Sequence, residues 1–155
     1  MIDKTSVFFR ERDIDVRYSE MDYQKVLKPS SLLNFLQDIA TFAADDGGFG
    51  YDEVVKRNLG WFLLKYHMEF TNYPKHIEHL HIKTEARGVN RLFASRDFEI
   101  YNKENNELLG RVISQWALVN FTDKSMTSPL EIFPQFSKVE KREDDLSFEK
   151  IHNLE

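Results

Sequence analysis

The sequence contains no cysteine, which excludes a disulfide framework, a thiolate metal site and a cysteine nucleophile. It also lacks any apolar run close to the roughly 20 residues that are needed to span a bilayer. The N-terminal stretch MIDKTSVFFRER has none of the apolar centre of a signal peptide. We therefore expect a cytoplasmic protein that has no membrane partner.

The sequence also lacks a basic excess and the familiar catalytic motifs. The net charge is -5 and basic residues are scattered among acidic ones, which argues against a nucleic-acid partner. There is no G-x-S-x-G elbow, glycine-rich phosphate loop or H-E-x-x-H pair. His76, His79 and His81 lie close to Lys83 in sequence and could hold a metal, but a solvated strand face is the favoured interpretation.

Apolar and aromatic residues are abundant. They include 13 phenylalanines, and hydrophobic residues make up 41% of the 155 positions, which is enough for one domain with one core. Pro129 and Pro134 interrupt the pattern, and a mixed charge run follows at residues 138–145. We therefore predict a domain over residues 1–134 and a charged tail or linker over residues 135–155. That tail is either a tether to a further segment or a floppy terminus.

Residues 29–50 predict the one long helix. Pro29 suits a first helical position, and Gly47 and Gly48 supply a stop. Apolar side chains fill roughly 200° of the helical wheel, so we expect the helix to be enclosed on most sides. The remaining strip is polar and should either find hydrogen-bond partners or line a site; it consists of Asn34, Gln37, Asp38 and Thr41.

The rest of the chain alternates with a period of two, which is typical of strands. A first strand is predicted over residues 6–22, with an irregularity near Asp13, and a short helix over residues 51–58. Antiparallel strands follow over residues 61–73, 79–87, 92–101 and 108–121. In the first of these, one predicted face consists of Phe62, Leu64, Tyr66, Met68 and Phe70. An α+β fold, with an antiparallel sheet curled around one long helix, satisfies all of these patterns.

Three places could carry chemistry. Asp22 precedes the helix, where a carboxylate near the positive end of the dipole could act on an electrophile, or could simply stabilise a turn. Gln37 borders the apolar arc, where its amide could orient a carbonyl or a water, or could make a structural hydrogen bond. Phe49 and Trp61 flank the short helix beside glycines, and they could form the mouth of an apolar tunnel or pack in the core.

Several segments, taken together, resemble the bacterial acyl-ACP thioesterase family, and specifically its N-terminal hotdog domain, which is related to the plant fatty acyl-ACP thioesterases. They occur in unbroken order: VRYSEMD at 16–22, LLNFLQDIA at 32–40, GFGYDEV at 48–54, KRNLGWFLLKYHMEF at 56–70, NRLFASRDFEIY at 90–101 and LLGRVISQWALVN at 108–120. The resemblance implies a hotdog fold, in which an antiparallel sheet wraps a long central helix.

The resemblance also implies an activity in fatty acid biosynthesis, the hydrolysis of acyl thioesters of acyl carrier protein (ACP) or coenzyme A, with no metal or redox cofactor. In such enzymes, N–H groups at the start of the central helix polarise the carbonyl, and a carboxylate or amide positions water. Asp22 and Gln37 are the candidates for that catalytic role. The family's N-terminal half contributes the acyl pocket, which by position implies Asn34, Gln37, Phe49, Trp61, Leu63 and His67.

One departure from the family separates the functional hypotheses. The D-x-N-G-H-x-N-N motif of the family's second hotdog is absent, and the nearest stretch, at residues 22–26, retains only the aspartate. The chain is therefore expected to be either a thioesterase or its substrate-binding half, or a non-catalytic acyl-binding domain that needs a partner domain. A dehydratase is a weaker alternative, because the loop into the helix has no histidine.

Partners follow from the same resemblance. Members of the family usually have two hotdog domains in tandem in one chain. Hotdog domains normally pair, so we expect a homodimer of this chain in place of that tandem pair. ACP is acidic and its docking surface should be basic. The candidate residues are Lys25, Lys28, Lys56, Arg57, Arg87 and Arg91, although scattered solubilising charge is the favoured alternative.

Overall fold

The computed structural model describes residues 2–139. In this part of the chain an antiparallel sheet packs on one long helix, as predicted, and the sheet has six strands. The elements, in chain order, are β1 (Phe9–Asp15), α1 (Pro29–Asp46), α2 (Tyr51–Lys56), β2 (Leu59–Phe70), β3 (His79–Asn90), β4 (Phe93–Asn102), β5 (Glu107–Asn120), β6 (Ser125–Thr127) and α3 (Pro129–Ile132). Short 3-10 segments cover Tyr18–Glu20 and Pro134–Lys138.

The strand order is β1-β3-β4-β5-β2, with β6 paired to β5 beyond this path, so β1 and β2 form the two edges of the sheet. The β1 edge exposes charged side chains, among them Glu11 and Asp13, and charge discourages pairing with another strand. The β2 edge instead exposes Phe62 and Leu64, each 48% accessible. The two edges therefore differ in how well they are protected against pairing.

Helix α1 begins at Pro29 and ends at Asp46, directly before Gly47, which confirms the predicted start and stop. One face is buried against the sheet, with Leu36 and Ile39 fully inaccessible. The expectation that the helix is enclosed is wrong, because the sheet covers only one side of it. The opposite face is exposed and consists of Leu33, Asn34, Gln37, Asp38, Thr41 and Phe42.

The buried side chains form two groups. The helix core surrounds the first half of α1 and consists of Val16, Met21, Leu27, Leu32, Phe35, Leu36, Ile39, Ala40, Leu80, Ile82, Phe98, Ile100, Leu109 and Val112. The aromatic cluster lies at the other end of the helix and consists of Phe8, Phe49, Val54, Leu59, Ala86, Leu118, Phe133 and Phe136. Within that cluster the rings of Phe49 and Phe136 are 4.7 Å apart and tilted by 52°.

Strand β2 contains an irregularity that the alternation did not predict. Its register with β5 shifts between Leu63 and Lys65, so one extra residue reverses which face the following side chains occupy. Phe62 and Leu64 are exposed, whereas Tyr66, Met68 and Phe70 pack against the helix core. The single face predicted for these residues is therefore wrong, and Trp61 is directed to the aromatic cluster instead.

The end of β1 and the presence of β6 also differ from the sequence prediction. Strand β1 ends at Asp15, and its register with β3 is regular through Asp13, so neither the predicted extension to residue 22 nor the irregularity is found. The chain turns there because Tyr18–Glu20 forms a 3-10 segment. Strand β6 was not predicted, since only three residues, Ser125–Thr127, pair with β5.

The packed structure continues past Pro134, because the Phe136 side chain in the following 3-10 segment is only 4% exposed. The remainder of the predicted tail, residues 140–155, lies outside the described residues, so its role as a linker stays a prediction. Within residues 2–139, no helix is long and apolar enough to cross a membrane.

Candidate functional site

A cavity of about 430 Å³ lies beside the aromatic cluster, and this volume falls within the range typical of small-ligand sites. The last turns of α1 contribute small side chains to its wall, Ala40 and Ala44. Helix α2 and the start of β2 contribute Val54 and Leu59. The wall is therefore assembled from elements that are far apart in sequence.

Aromatic rings form much of the cavity wall. Trp61 and Trp116 both line it, and they are the two tryptophans of the chain. Trp61 Nε1 donates to the Phe49 carbonyl oxygen at 2.7 Å, and Trp116 Nε1 donates to Ser114 Oγ at 2.8 Å. Because both indole N–H groups are satisfied elsewhere, the rings present apolar surface to the cavity.

The turn between α1 and α2 holds Phe49 in this wall. Asp45 Oδ1 accepts the backbone N–H of Tyr51 at 2.8 Å, which fastens the start of α2 to the end of α1. Gly50 passes so close to Asp45 that a Cβ at this position would overlap with its side chain and backbone. The close approach requires glycine, and it keeps Phe49 at 4% exposure.

The rim of the cavity is apolar and open to solvent. Phe62 of β2 and Phe121, after β5, are each 48% exposed. Their rings meet edge to face, with centroids 6.1 Å apart. Both residues belong to the cavity lining, so its mouth lies beside the unprotected β2 edge of the sheet.

Arg96 is the charged residue of the cavity lining. Its side chain is 5% exposed, and Nη1 donates to Thr84 Oγ1 at 3.2 Å. The pKa of Arg96 is lowered to about 10: burial is the largest cause, the nearby Arg10 also lowers it, and Glu85 acts in the opposite direction. The guanidinium is nevertheless protonated at neutral pH, because this pKa is still well above 7.

Of the sequence-predicted site residues, the structure brings Phe49 and Trp61 into the cavity wall. Leu63 is half-buried opposite Trp116 in the β2–β5 register but does not line the cavity. His67 Nε2 lies 3.2 Å from Glu69 Oε1 on β2. Neither Leu63 nor His67 belongs to the lining residues.

Most of the predicted polar strip points away from the cavity, and Thr41 is its one member that lines the wall. Asn34 and Gln37 lie on the exposed face of α1, because the sheet covers the opposite side of the helix. Neither residue lines the cavity. In the isolated chain these two side chains therefore do not belong to a common pocket with Phe49 and Trp61.

Asp22 stabilises the turn that leads into α1. Its Oδ1 accepts the backbone N–H groups of Gln24 at 2.8 Å and Val26 at 3.0 Å. This is the turn role that the sequence left open, and Asp22 is not among the residues that line the cavity. A catalytic part for its carboxylate stays a prediction.

The histidines of β3 are cross-strand partners of β1 carboxylates. His79 Nδ1 lies 2.8 Å from Asp15 Oδ1, and His81 lies between Asp13 at 2.7 Å and Glu11 at 3.1 Å. The hydrogen bond from His81 is the largest cause that lowers the pKa of Asp13. No group of His, Asp and Glu within residues 2–139 is arranged to hold a metal ion.

Arg96, Trp116 and Phe136 are among the cavity residues that were missed from sequence. The alternation of Ala94, Phe98 and Ile100 on the buried face of β4 placed Arg96 on that same face, which was the available signal. Phe136 fell in the predicted tail, where no periodic pattern marks it as buried.

Comparison with solved structures places the fold. An acyl-ACP thioesterase from Bacteroides thetaiotaomicron superimposes with a TM-score of 0.80 at 22% identity, covering 96% of this chain and 60% of that one. A DHNA-CoA thioesterase from Staphylococcus aureus superimposes with a TM-score of 0.71 at 18% identity, covering 84% and 87%. These likenesses confirm the predicted hotdog fold.

Sequence comparison places the family. An oleoyl-acyl carrier protein thioesterase of chloroplasts from Coriandrum sativum is 27% identical over 118 residues, which is 72% of this chain and 32% of the relative. The chain thus spans about a third of the length of that relative. The family model of the acyl-ACP thioesterase N-terminal domain matches residues 7–133, and this chain therefore belongs to the acyl-ACP thioesterase family.

Proposed function

We propose that this chain provides the substrate-binding half of an acyl-ACP thioesterase, which hydrolyses the thioester and releases a free fatty acid. The observation that carries the proposal is the apolar cavity beside α1, whose wall contains Phe49, Trp61 and Trp116. An acyl chain needs such a wall, because transferring its methylene groups out of water supplies about 0.8 kcal/mol each. The family to which the chain belongs supports an acyl thioester as the ligand.

The reaction needs groups that the cavity wall does not supply. Water must attack the thioester carbonyl, donors must stabilise the resulting oxyanion, and a base must accept a proton before the thiol leaves. The lining residues include no carboxylate and no histidine. Asp22 and Gln37 stay our candidates for positioning water, acting on an acyl group that is held in the cavity of a second copy or of a second domain.

Because the cavity can bind an acyl chain but lacks the groups for hydrolysis, it also favours the alternative function, a domain that binds acyl thioesters and hydrolyses them only with a partner domain. The two functions make different predictions for the purified chain. A thioesterase releases thiol from acyl-ACP or acyl-CoA, whereas a binding domain takes up an acyl-pantetheine analogue without turnover.

A homodimer is part of the proposal, and the β2 edge supports it. This edge has no paired strand among residues 2–139, and it exposes Phe62 and Leu64 next to the cavity mouth. Backbone groups along an unprotected edge pair readily with another strand. A second copy at this edge would cover the exposed rim and lengthen the site.

ACP is the proposed macromolecular partner. Lys25, Lys28 and Arg91 are exposed and stay candidates for contacting an acidic carrier. Lys56 and Arg57 pair with Glu53 within and beside α2. Arg87 was a wrong candidate, because it is only 3% exposed.

The test combines calorimetric binding with a hydrolysis assay. Wild-type chain is titrated with a non-hydrolysable dodecyl-pantetheine thioether, and in parallel it is supplied with acyl-ACP and acyl-CoA while free thiol is measured. Saturable binding with turnover supports the thioesterase, and saturable binding without turnover supports the partner-dependent domain. A chain that neither binds the thioether nor releases thiol would contradict both functions.

A further inference from the structure

Arg96 places a full positive charge beside an otherwise apolar cavity. The guanidinium carbon lies 6.0 Å from the centroid of the Phe49 ring, and both residues line the cavity. The one hydrogen bond that the Arg96 guanidinium makes to a described residue runs from Nη1 to Thr84 Oγ1. An arginine has five N–H donors, so this neutral hydroxyl leaves most of its donor capacity available.

Among residues 2–139, the charges near Arg96 do not neutralise it by direct ion pairing. Arg10 forms its own ion pair with Asp46. Glu85 acts on Arg96 electrostatically, but its carboxylate accepts the N–H of Asp3 at 3.3 Å and forms no salt bridge with Arg96. A buried charge without a close partner is costly, and a ligand atom that accepts its N–H groups would offset part of that cost.

The other polar residues of the lining do not compete for this role. Thr41 Oγ1 donates to the Gln37 carbonyl at 2.9 Å, and Tyr51 is 68% exposed. Ser95, like Arg96, lies on β4 and lines the cavity, but it carries no charge. Arg96 is therefore the strongest hydrogen-bond donor that the lining offers to a bound molecule.

We propose that the cavity selects acyl chains that carry an oxygen substituent, a hydroxyl or oxo group, to which the Arg96 guanidinium donates. This inference rests on the proposed function, since it assumes that the cavity holds an acyl chain. An oxygen that enters an apolar cavity loses its hydrogen bonds to water. A donor with a full charge restores them, and a hydrogen bond of this kind is worth about tenfold to a hundredfold in affinity.

The test uses four matched ligands. They are dodecyl-pantetheine thioethers that are unsubstituted or that carry one hydroxyl on the third, eighth or terminal carbon. Titration of the wild-type chain should give at least one hydroxylated ligand that binds about tenfold more tightly than the plain one. The position that gains most then locates Arg96 along the bound chain.

Two variants distinguish the charge from cavity shape. Arg96→Met keeps an unbranched apolar stem without the guanidinium, and it should remove the preference for the hydroxylated ligand while the plain ligand binds as well or better. Ser95→Ala, a neighbour in the same wall, should keep the preference. Thermal melting establishes that both variants are folded, and a wild-type titration alone still tests the proposal if Arg96→Met does not fold.

The outcomes separate this inference from the proposed function. Equal affinity of the wild-type chain for all four ligands would overturn the inference and leave the acyl-binding function intact. A preference that survives in Arg96→Met would also overturn it. Failure of every ligand to bind would contradict the proposed function itself, and with it the inference.

Discussion

The helix core and the aromatic cluster lie along the same helix, but they differ in how completely their side chains fill the space. In the helix core, aliphatic side chains such as Leu36, Ile39 and Ile82 are fully inaccessible. The aromatic cluster contributes Phe49, Phe136 and others to the wall of a cavity of about 430 Å³. One end of the fold is filled, whereas the other end leaves space.

The sequence of α1 explains this difference. Its first turns carry large side chains, including Leu32 and Leu36, and its later turns carry Ala40 and Ala44, which line the cavity. The aromatic rings that face these alanines do not fill the space, because they pack against one another in tilted and edge-to-face pairs such as Phe49–Phe136. Small residues opposite rigid rings therefore produce a cavity without a break in the helix.

The largest expected effect is on stability and concerns the closely packed helix core. Leu36→Ala should lower the free energy of unfolding by about 2–5 kcal/mol, because it removes buried methyl groups and leaves a void. Urea denaturation measures the loss. The matched control is Leu33→Ala on the exposed face of α1, which should change stability by less than about 0.5 kcal/mol. Equal losses in the two variants would mean that the two faces of α1 are not differently packed.

The second prediction concerns a variant that fills the cavity beside the aromatic cluster. Ala44→Phe should weaken binding of a dodecyl-pantetheine thioether by about thirtyfold, because the new ring occupies volume that the acyl chain needs. Asn34→Phe adds the same ring to the exposed face and should leave the affinity unchanged. If Asn34→Phe abolished binding while Ala44→Phe did not, the site would lie on the polar strip instead.

The third prediction concerns the loop before α1. Asp22→Asn should lower hydrolysis by the purified chain by about tenfold or more if the carboxylate activates water. The amide keeps an Oδ1 acceptor for Gln24 and Val26, so the melting temperature should stay the same. Unchanged turnover would remove Asp22 from the catalytic candidates and leave it a purely structural role.

The smallest expected effect concerns the edge beside the cavity mouth. Leu64→Lys should weaken self-association by about tenfold, because a charge on an edge strand opposes pairing. Light scattering across a concentration series measures the change. Leu130→Lys, at a 42% exposed position on α3, is the control and should not alter the mass. A wild-type chain that is monomeric throughout would contradict the proposed dimer.

Local signals in the sequence predicted the elements well. Proline and paired glycines marked the ends of α1, and alternation marked the four long strands, because these features depend on neighbouring residues. The faces were harder to predict. The wheel of α1 could not show that the sheet covers only one side, and the alternation in β2 failed at the bulge near Leu64.

The site was predicted in part for the same reason. Phe49 and Trp61 flank a short helix close together in sequence, so their meeting at the cavity was foreseeable. Trp116 and Arg96 reach the cavity only through the pairing of β4 and β5, which a single alternating strand does not specify. Asn34 and Gln37 were predicted as pocket residues because they form part of a polar strip on α1. In the structure that polarity reflects the exposure of both residues to solvent.

We propose above that the acyl chain occupies the cavity beside Trp61 and Trp116. Since these are the two tryptophans of the chain, the direct measurement is tryptophan fluorescence during titration with a thioether whose alkyl chain carries bromine, a contact quencher. We predict saturable quenching that is lost in Ala44→Phe. Calorimetric binding of the same ligand without any quenching would contradict the claim, because the chain would then be bound elsewhere.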